Sequence, residues 1–143
     1  RVPASCTLSW GEIALMNASG LVEFASHTYN LHHIEKSRKG ADRKLGESLE
    51  DYTRVLTDDL QRNQDAIAAA IGKPPQVFAW PYGAYPADKS ADPILKAVGI
   101  RASFTSYQHT SELRRGDADS LFGLGRYLRT PQFDIAKIAE NAD

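Results

Sequence analysis

Apolar residues recur at helical spacing over one long stretch of the chain. From about Leu49 to Ile71, residues Tyr52, Val55, Leu56, Leu60, Ile67 and Ile71 mark one face, and Gly72 stands where a helix would stop. The pattern predicts an amphipathic helix packed on a sheet, with the mid-helix pair Asp58-Asp59 on its solvated side. Three shorter runs read differently. "LVEFAS" (Leu21 to Ser26), "QVFAW" (Gln76 to Trp80) and "RASFTS" (Arg101 to Ser106) are short and largely apolar, as buried strands are. A helix is expected before the first of them, with Ser9 as N-cap, Glu12 three residues on, Ile13, Leu15 and Met16 as its apolar positions and Gly20 closing it. Another is expected from about Ser90 to Val98. The tail contains a polar loop, "SELRRGDADS", a glycine-broken strand candidate, "LFGLGRYLR", and a terminal helix, "PQFDIAKIAENAD".

Strands alternating with helices imply a parallel sheet, open or closed into a barrel. In such folds functional groups gather at the carboxyl ends of the strands, where loops converge. Two features fall at those ends: His27, after the first strand, and the turn "WPYG" (Trp80 to Gly83), after the second. The two are expected to meet on one face.

Composition narrows the partners. The 143 residues suit one domain, and 17 basic against 18 acidic side chains leave no electrostatic footprint for nucleic acid. The one basic cluster, "KSRKGADRK" (Lys36 to Lys44), reads as a solvated loop. A lone Cys6 excludes an internal disulfide framework and a cysteine-rich zinc knuckle. No run approaches the roughly 20 apolar residues of a membrane helix, and the start at Arg1 leads to the expectation of further chain upstream.

The candidate chemistry lies in "SHTYNLHH" (Ser26 to His33), which holds three of the four histidines. Neutral imidazole is a common zinc ligand, and His27 at a strand end with His32 in the following turn could reach one ion. On a regular helix the same spacing would point them about 140° apart. Packed or surface histidines remain the alternative at this point. A catalytic zinc usually takes three protein ligands. Asp88, Asp92, Asp117 and Asp119 are present as third donors in hydrophilic loops that suit solvated side chains, and His109 follows a strand end where it could face the pocket or be a plain loop histidine.

"GLVEFASHTYNLHH" together with "VFAWPYGAY" resembles the polysaccharide deacetylases of carbohydrate esterase family 4, in particular the branch acting on poly-β-1,6-N-acetylglucosamine. The likeness extends over roughly residues 8 to 130. His27, Thr28 and His32 match the family's second motif; Pro81, Tyr82 and Gly83 match its third, with the branch's tryptophan at Trp80. The resemblance implies a seven-stranded (β/α) barrel, of which this chain would supply about four strands as a single truncated domain over residues 1–143. It implies a metal-dependent hydrolase removing N-acetyl groups from an N-acetylglucosamine polymer, located outside the cell, on its surface or in a periplasm. The cofactor would be a divalent metal, zinc first and nickel, cobalt or iron next. His27 and His32 would be metal ligands, the Tyr82 N–H would face the oxyanion, and Trp80, Pro81, Tyr82 and Gly83 would bind substrate. His33 would be a bystander.

The likeness stops in two places. The family's first motif, an aspartate pair upstream of the histidines that supplies base and third ligand, has no counterpart in Arg1 to Ser26; the histidine acid of this branch also lies upstream. Position 79 is alanine where many members carry arginine. The expected partner is therefore the N-terminal part of the same domain or a second chain, and a half barrel alone should be unstable or associate. The alternative is a non-catalytic carbohydrate-binding or scaffold module on a degenerate deacetylase fold.

Overall fold

A computed structural model describes residues 7–140 apart from Arg129 and Gln132. Helix α1 (Trp10–Ala18) begins as the sequence predicts: Ser9 and Glu12 cap each other reciprocally. It lies on helix α2 (Leu49–Ile71), whose Ser48 side chain accepts from Asp51 N–H and which ends at Gly72 with φ 79°. Strand β1 (Val77–Ala79) pairs in parallel with β2 (Ala102–Phe104), and helix α3 (Asp92–Ala97) crosses between them and packs on α2. A last helix, α4 (Ile135–Glu140), covers part of the predicted terminal helix, whose residues 141–143 lie outside the described ones.

The four expected strands are present as two. The first run touches the sheet only at its end: Ser26 bridges Phe78 in parallel, donating to Val77 O at 2.8 Å and accepting from Ala79 N–H at 2.9 Å. Among the described residues the fourth forms a bridge to β2 only at Leu124, opposite Phe104. Both ladders stop where the backbone leaves the extended region, at Thr28 (φ 73°) and Gly123 (φ 75°). Gly123 is needed there, since a Cβ would lie 2.4 Å from the Tyr85 ring. The resulting order, Ser26 segment, β1, β2, Leu124 segment, is parallel throughout, as in part of a (β/α) barrel.

The core is the predicted one, seen from the helix. Tyr52, Leu56, Leu60 and Ile67 of α2 are buried, the first three together with Phe78 and Trp80 of the β1 region and Ile94, Leu95 and Ile100 of the α3 unit. Full burial of such side chains stabilises by about 1.5–3 kcal/mol each. Polar residues also enter this layer. Gln64 donates to Pro75 O and Val98 O, both at 3.0 Å, tying α2 to the loops before β1 and after α3.

Candidate functional site

The turn after Ser26 has a conformation that its own sequence would not choose. Thr28, a β-branched residue, sits at φ 73°, in the left-handed region, and is nearly buried. Two side chains of α2 hold it there. The Asp59 carboxylate accepts from Tyr29 N–H at 2.9 Å and from Asn30 N–H at 2.7 Å. Asn63, one helical turn on, accepts from Ser26 Oγ at 2.6 Å and donates to Thr28 O at 3.0 Å. Asp59 is only 7% exposed, which corrects the expectation that the Asp58-Asp59 pair is solvated; that holds for Asp58 alone, exposed and paired with Arg62. The signal was in the sequence: Asp59 and Asn63 fall on the same face as Tyr52, Leu56, Leu60 and Ile67, where a polar residue has to find a partner.

The second turn is a 3-10 turn over Pro81–Gly83, with Tyr82 at φ 56°. Gly83, at φ 67°, admits no side chain, since a Cβ would lie 2.1 Å from Ser106 Oγ. From the other side Gly40 packs so closely that a Cβ would lie 2.9 Å from Pro81 O. The Gly40 loop is held from within: Arg38, 4% exposed, pairs with Glu47, donates to Asp42 O at 3.1 Å and lies over the Tyr52 ring, while Tyr52 Oη donates to Ala41 O at 2.9 Å. The cluster Lys36 to Lys44 is thus no uniformly solvated loop. Arg38 is internal because its charge is matched within a buried network.

His27 joins the two turns. Its Nδ1 lies 2.6 Å from Ala79 O. A carbonyl can only accept, so the proton is on Nδ1 and the lone pair is on Nε2, the arrangement that second-shell carbonyls impose on metal-binding histidines. Burial lowers the pKa of His27, with the charges of His32 and Arg126 adding to the effect against the Ala79 contact. The neutral, ligating form is thereby favoured. The His32 ring stands 4.9 Å from the His27 ring and 4.7 Å from the Tyr82 ring. Tyr82 Oη is 3.3 Å from both His32 Nδ1 and His32 O. If the hydroxyl donates to the carbonyl, Nδ1–H donates to the hydroxyl, and the second imidazole also keeps Nε2 free.

These two imidazoles suit a divalent ion as two of its donors. Among the described residues no group of three histidine, cysteine or acidic side chains assembles. Asp88 pairs with Arg43, Asp117 caps the short turn Ala118–Leu121, and Asp119 pairs with Lys96. Asp92 is 6% exposed and accepts from Tyr85 Oη at 2.9 and 3.0 Å, so its solvated reading is corrected. His33 turns to Glu35, 3.2 Å away. His109 lines a polar cavity of about 280 Å³ that includes neither His27 nor His32.

The third-motif residues expected to face substrate divide. Tyr82 is partly exposed, and its backbone N–H has no hydrogen-bond partner among the described residues. Trp80 is fully buried, edge-on to Phe78 at 4.9 Å and 5.5 Å from Tyr85, and its indole N–H has no partner among the described residues. Trp80 thus packs against Phe78 and Tyr85 in the core, and Pro81 and Gly83 are buried as well.

The polysaccharide deacetylase family matches residues 4–103 of this chain. The chain belongs to that family. Over 98 residues it is 29% identical to the poly-β-1,6-N-acetyl-D-glucosamine N-deacetylases of Staphylococcus aureus strain MSSA476 and Staphylococcus epidermidis strain ATCC 35984. The match takes in 68% of this chain and 31% of each relative, so this chain spans about a third of their length. Among solved structures it resembles a de-N-acetylase from Aggregatibacter actinomycetemcomitans, at 30% identity and a TM-score of 0.71, over 93% of this chain and 52% of that one. IcaB from Ammonifex degensii follows at 29% and 0.66, over 87% and 49%. These likenesses agree with a partial deacetylase barrel.

Proposed function

We propose that this chain carries the metal-holding half of a metal-dependent N-deacetylase acting on an N-acetylglucosamine polymer. The observation that carries the reading is the His27 contact with Ala79 O, which locks one histidine of the pair in its ligating tautomer and ties it to the turn bearing Tyr82. His27 and His32 would hold the ion through Nε2, and zinc fits imidazole donors best, with nickel, cobalt and iron accepting the same set. Such an ion supplies Lewis-acid polarisation of the acetamide carbonyl and a more acidic bound water. Asp59 and Asn63 keep the histidine turn in place, and Gly40 and the Arg38 network keep the tyrosine turn against it. The unpaired Tyr82 N–H would donate to the oxyanion forming on the acetyl carbon. The third donor, the base and the acid would come from the rest of the domain or a second chain, so the 143-residue chain alone would be inactive. An N-acetylglucosamine polymer as substrate favours a place outside the cell, on its surface or in a periplasm.

The test is metal content together with acetate release from a β-1,6-linked N-acetylglucosamine oligomer by the full-length protein. The His27→Ala variant should lose both. Release unchanged in the variant would sink the ligand assignment, and oligomer binding without release by the metal-loaded protein would favour a non-catalytic carbohydrate module.

A further inference from the structure

The Tyr82 backbone N–H would face the oxyanion, but the phenol of the same residue lies on the histidine turn. Its ring stands 4.7 Å from the His32 ring, and its Oη is 3.3 Å from both His32 Nδ1 and His32 O. Among the described residues these are the only hydrogen bonds made by the His32 ring and by the His32 carbonyl. The phenol is kept there by its own backbone and by a neighbour. Tyr82 sits at φ 56°, a conformation that non-glycine residues seldom adopt, and the Gly40 backbone comes so close that a Cβ there would lie 3.3 Å from Tyr82 Cδ2.

A count of protons separates two arrangements. A phenol has one proton to give, and a carbonyl can only accept. If Oη–H goes to His32 Nδ1, the imidazole proton is on Nε2, the carbonyl is left to solvent and one bond forms. If Oη–H goes to His32 O, Oη accepts from Nδ1–H and two bonds form. The second arrangement pairs every group within reach and leaves the Nε2 lone pair free. We infer that the Tyr82 hydroxyl holds the His32 imidazole in its Nδ1–H tautomer, so that Nε2 can take a metal ion. His27 is held in the same tautomer by Ala79 O, 2.6 Å from its Nδ1. One stretch, Ala79 to Tyr82, thereby sets the donor atom of both histidines, once through a carbonyl that no substitution removes and once through a hydroxyl that Tyr82→Phe deletes. The consequence for metal binding rests on the deacetylase reading; the tautomer itself does not.

Nitrogen-15 NMR of the histidine rings reads the tautomer without metal and without turnover. In the metal-free full-length protein, in mildly alkaline buffer, two-bond proton–nitrogen spectra should show His27 and His32 both as Nδ1–H. In Tyr82→Phe, which keeps the ring, His32 should gain the Nε2–H form while His27 stays as it was, and cobalt should bind about tenfold more weakly. A role in folding alone would not move the tautomer of one histidine and spare the other. His32 found as Nε2–H in the wild type would overturn the inference, and that spectrum decides even where the variant folds poorly. A His32 spectrum unchanged in Tyr82→Phe, or cobalt affinity within twofold of wild type, would overturn it equally. A His32 tautomer that responds to Tyr82→Phe in a protein that takes up no cobalt would retain the hydrogen-bond arrangement and remove the functional reading.

Discussion

Replacing Asp59 with alanine should loosen the histidine turn more than it unfolds the protein. The substitution removes two charge-assisted hydrogen bonds, to Tyr29 N–H and Asn30 N–H. Bonds of this kind contribute about 1.5–3 kcal/mol each. Tyr29 and Asn30 are exposed enough for water to replace part of that, so a net loss of about 2–4 kcal/mol is expected. Opposing the native turn is the left-handed Thr28, a strain of about 1–3 kcal/mol. Without Asp59 the two are nearly matched, the turn opens for much of the time, and metal affinity falls in proportion to the competent fraction. A cobalt titration followed by its visible spectrum, with zinc competition, should give a dissociation constant about 10- to 100-fold weaker. Asp59→Asn should recover less than half, because its amide accepts at one oxygen and turns a donor toward the second N–H. Leu60→Ala is the control: it removes a buried neighbour on the same helix at about 2–5 kcal/mol but leaves the turn's bonds intact, so metal affinity should hold. Affinity within twofold of wild type in Asp59→Ala, with urea stability lowered as in Leu60→Ala, would show that Asp59 stabilises the fold and does not position the histidines.

Three further outcomes are expected. His33→Ala should leave cobalt binding unchanged where His32→Ala weakens it at least tenfold, since His33 turns to Glu35; equal losses would reassign the ligands. Gly40→Ala should destabilise by about 1–3 kcal/mol in urea unfolding, because its Cβ would press on Pro81 and its φ is 59°; an unchanged midpoint would show that the turn gives way freely. Burial raises the pKa of the Asp92 carboxyl above its ordinary 3.8, so the folded state takes up this proton first. The associated stability is full below 3.8 and is lost as pH rises through the folded value. Urea unfolding at pH 4 and pH 7 should therefore show Asp92→Asn gaining on wild type as pH rises, and a shift in the opposite direction would contradict the burial argument.

Periodicity made α2 legible almost to the residue, because Tyr52, Leu56, Leu60 and Ile67 face the core and Ser48 and Gly72 carry their caps in local sequence. The meeting of His27 with the Trp80–Gly83 turn was also legible, from the rule that strand ends converge. The outer strands were not: whether Leu21 to Ser26 forms a ladder depends on a neighbour, and apolar character cannot supply one. Asp59, Arg38 and Asp92 were misread for a common reason. Each is a polar residue buried with a specific partner, the Tyr29 and Asn30 N–H groups for Asp59, Glu47 for Arg38 and Tyr85 for Asp92, and polarity alone does not name that partner. Trp80 was read from its motif as a sugar-facing residue, and its side chain is fully buried against Phe78 and Tyr85.

The grip of Asp59 on the histidine turn also bears on how this surface can change over generations. Asp59 binds the N–H groups of positions 29 and 30 and makes no hydrogen bond to their side chains. Every residue except proline offers the same N–H. Random replacement at Tyr29 and Asn30 should therefore be tolerated almost uniformly, with proline the exception. The rim beside the His27–His32 pair is open to sequence change while the pair itself stays in place.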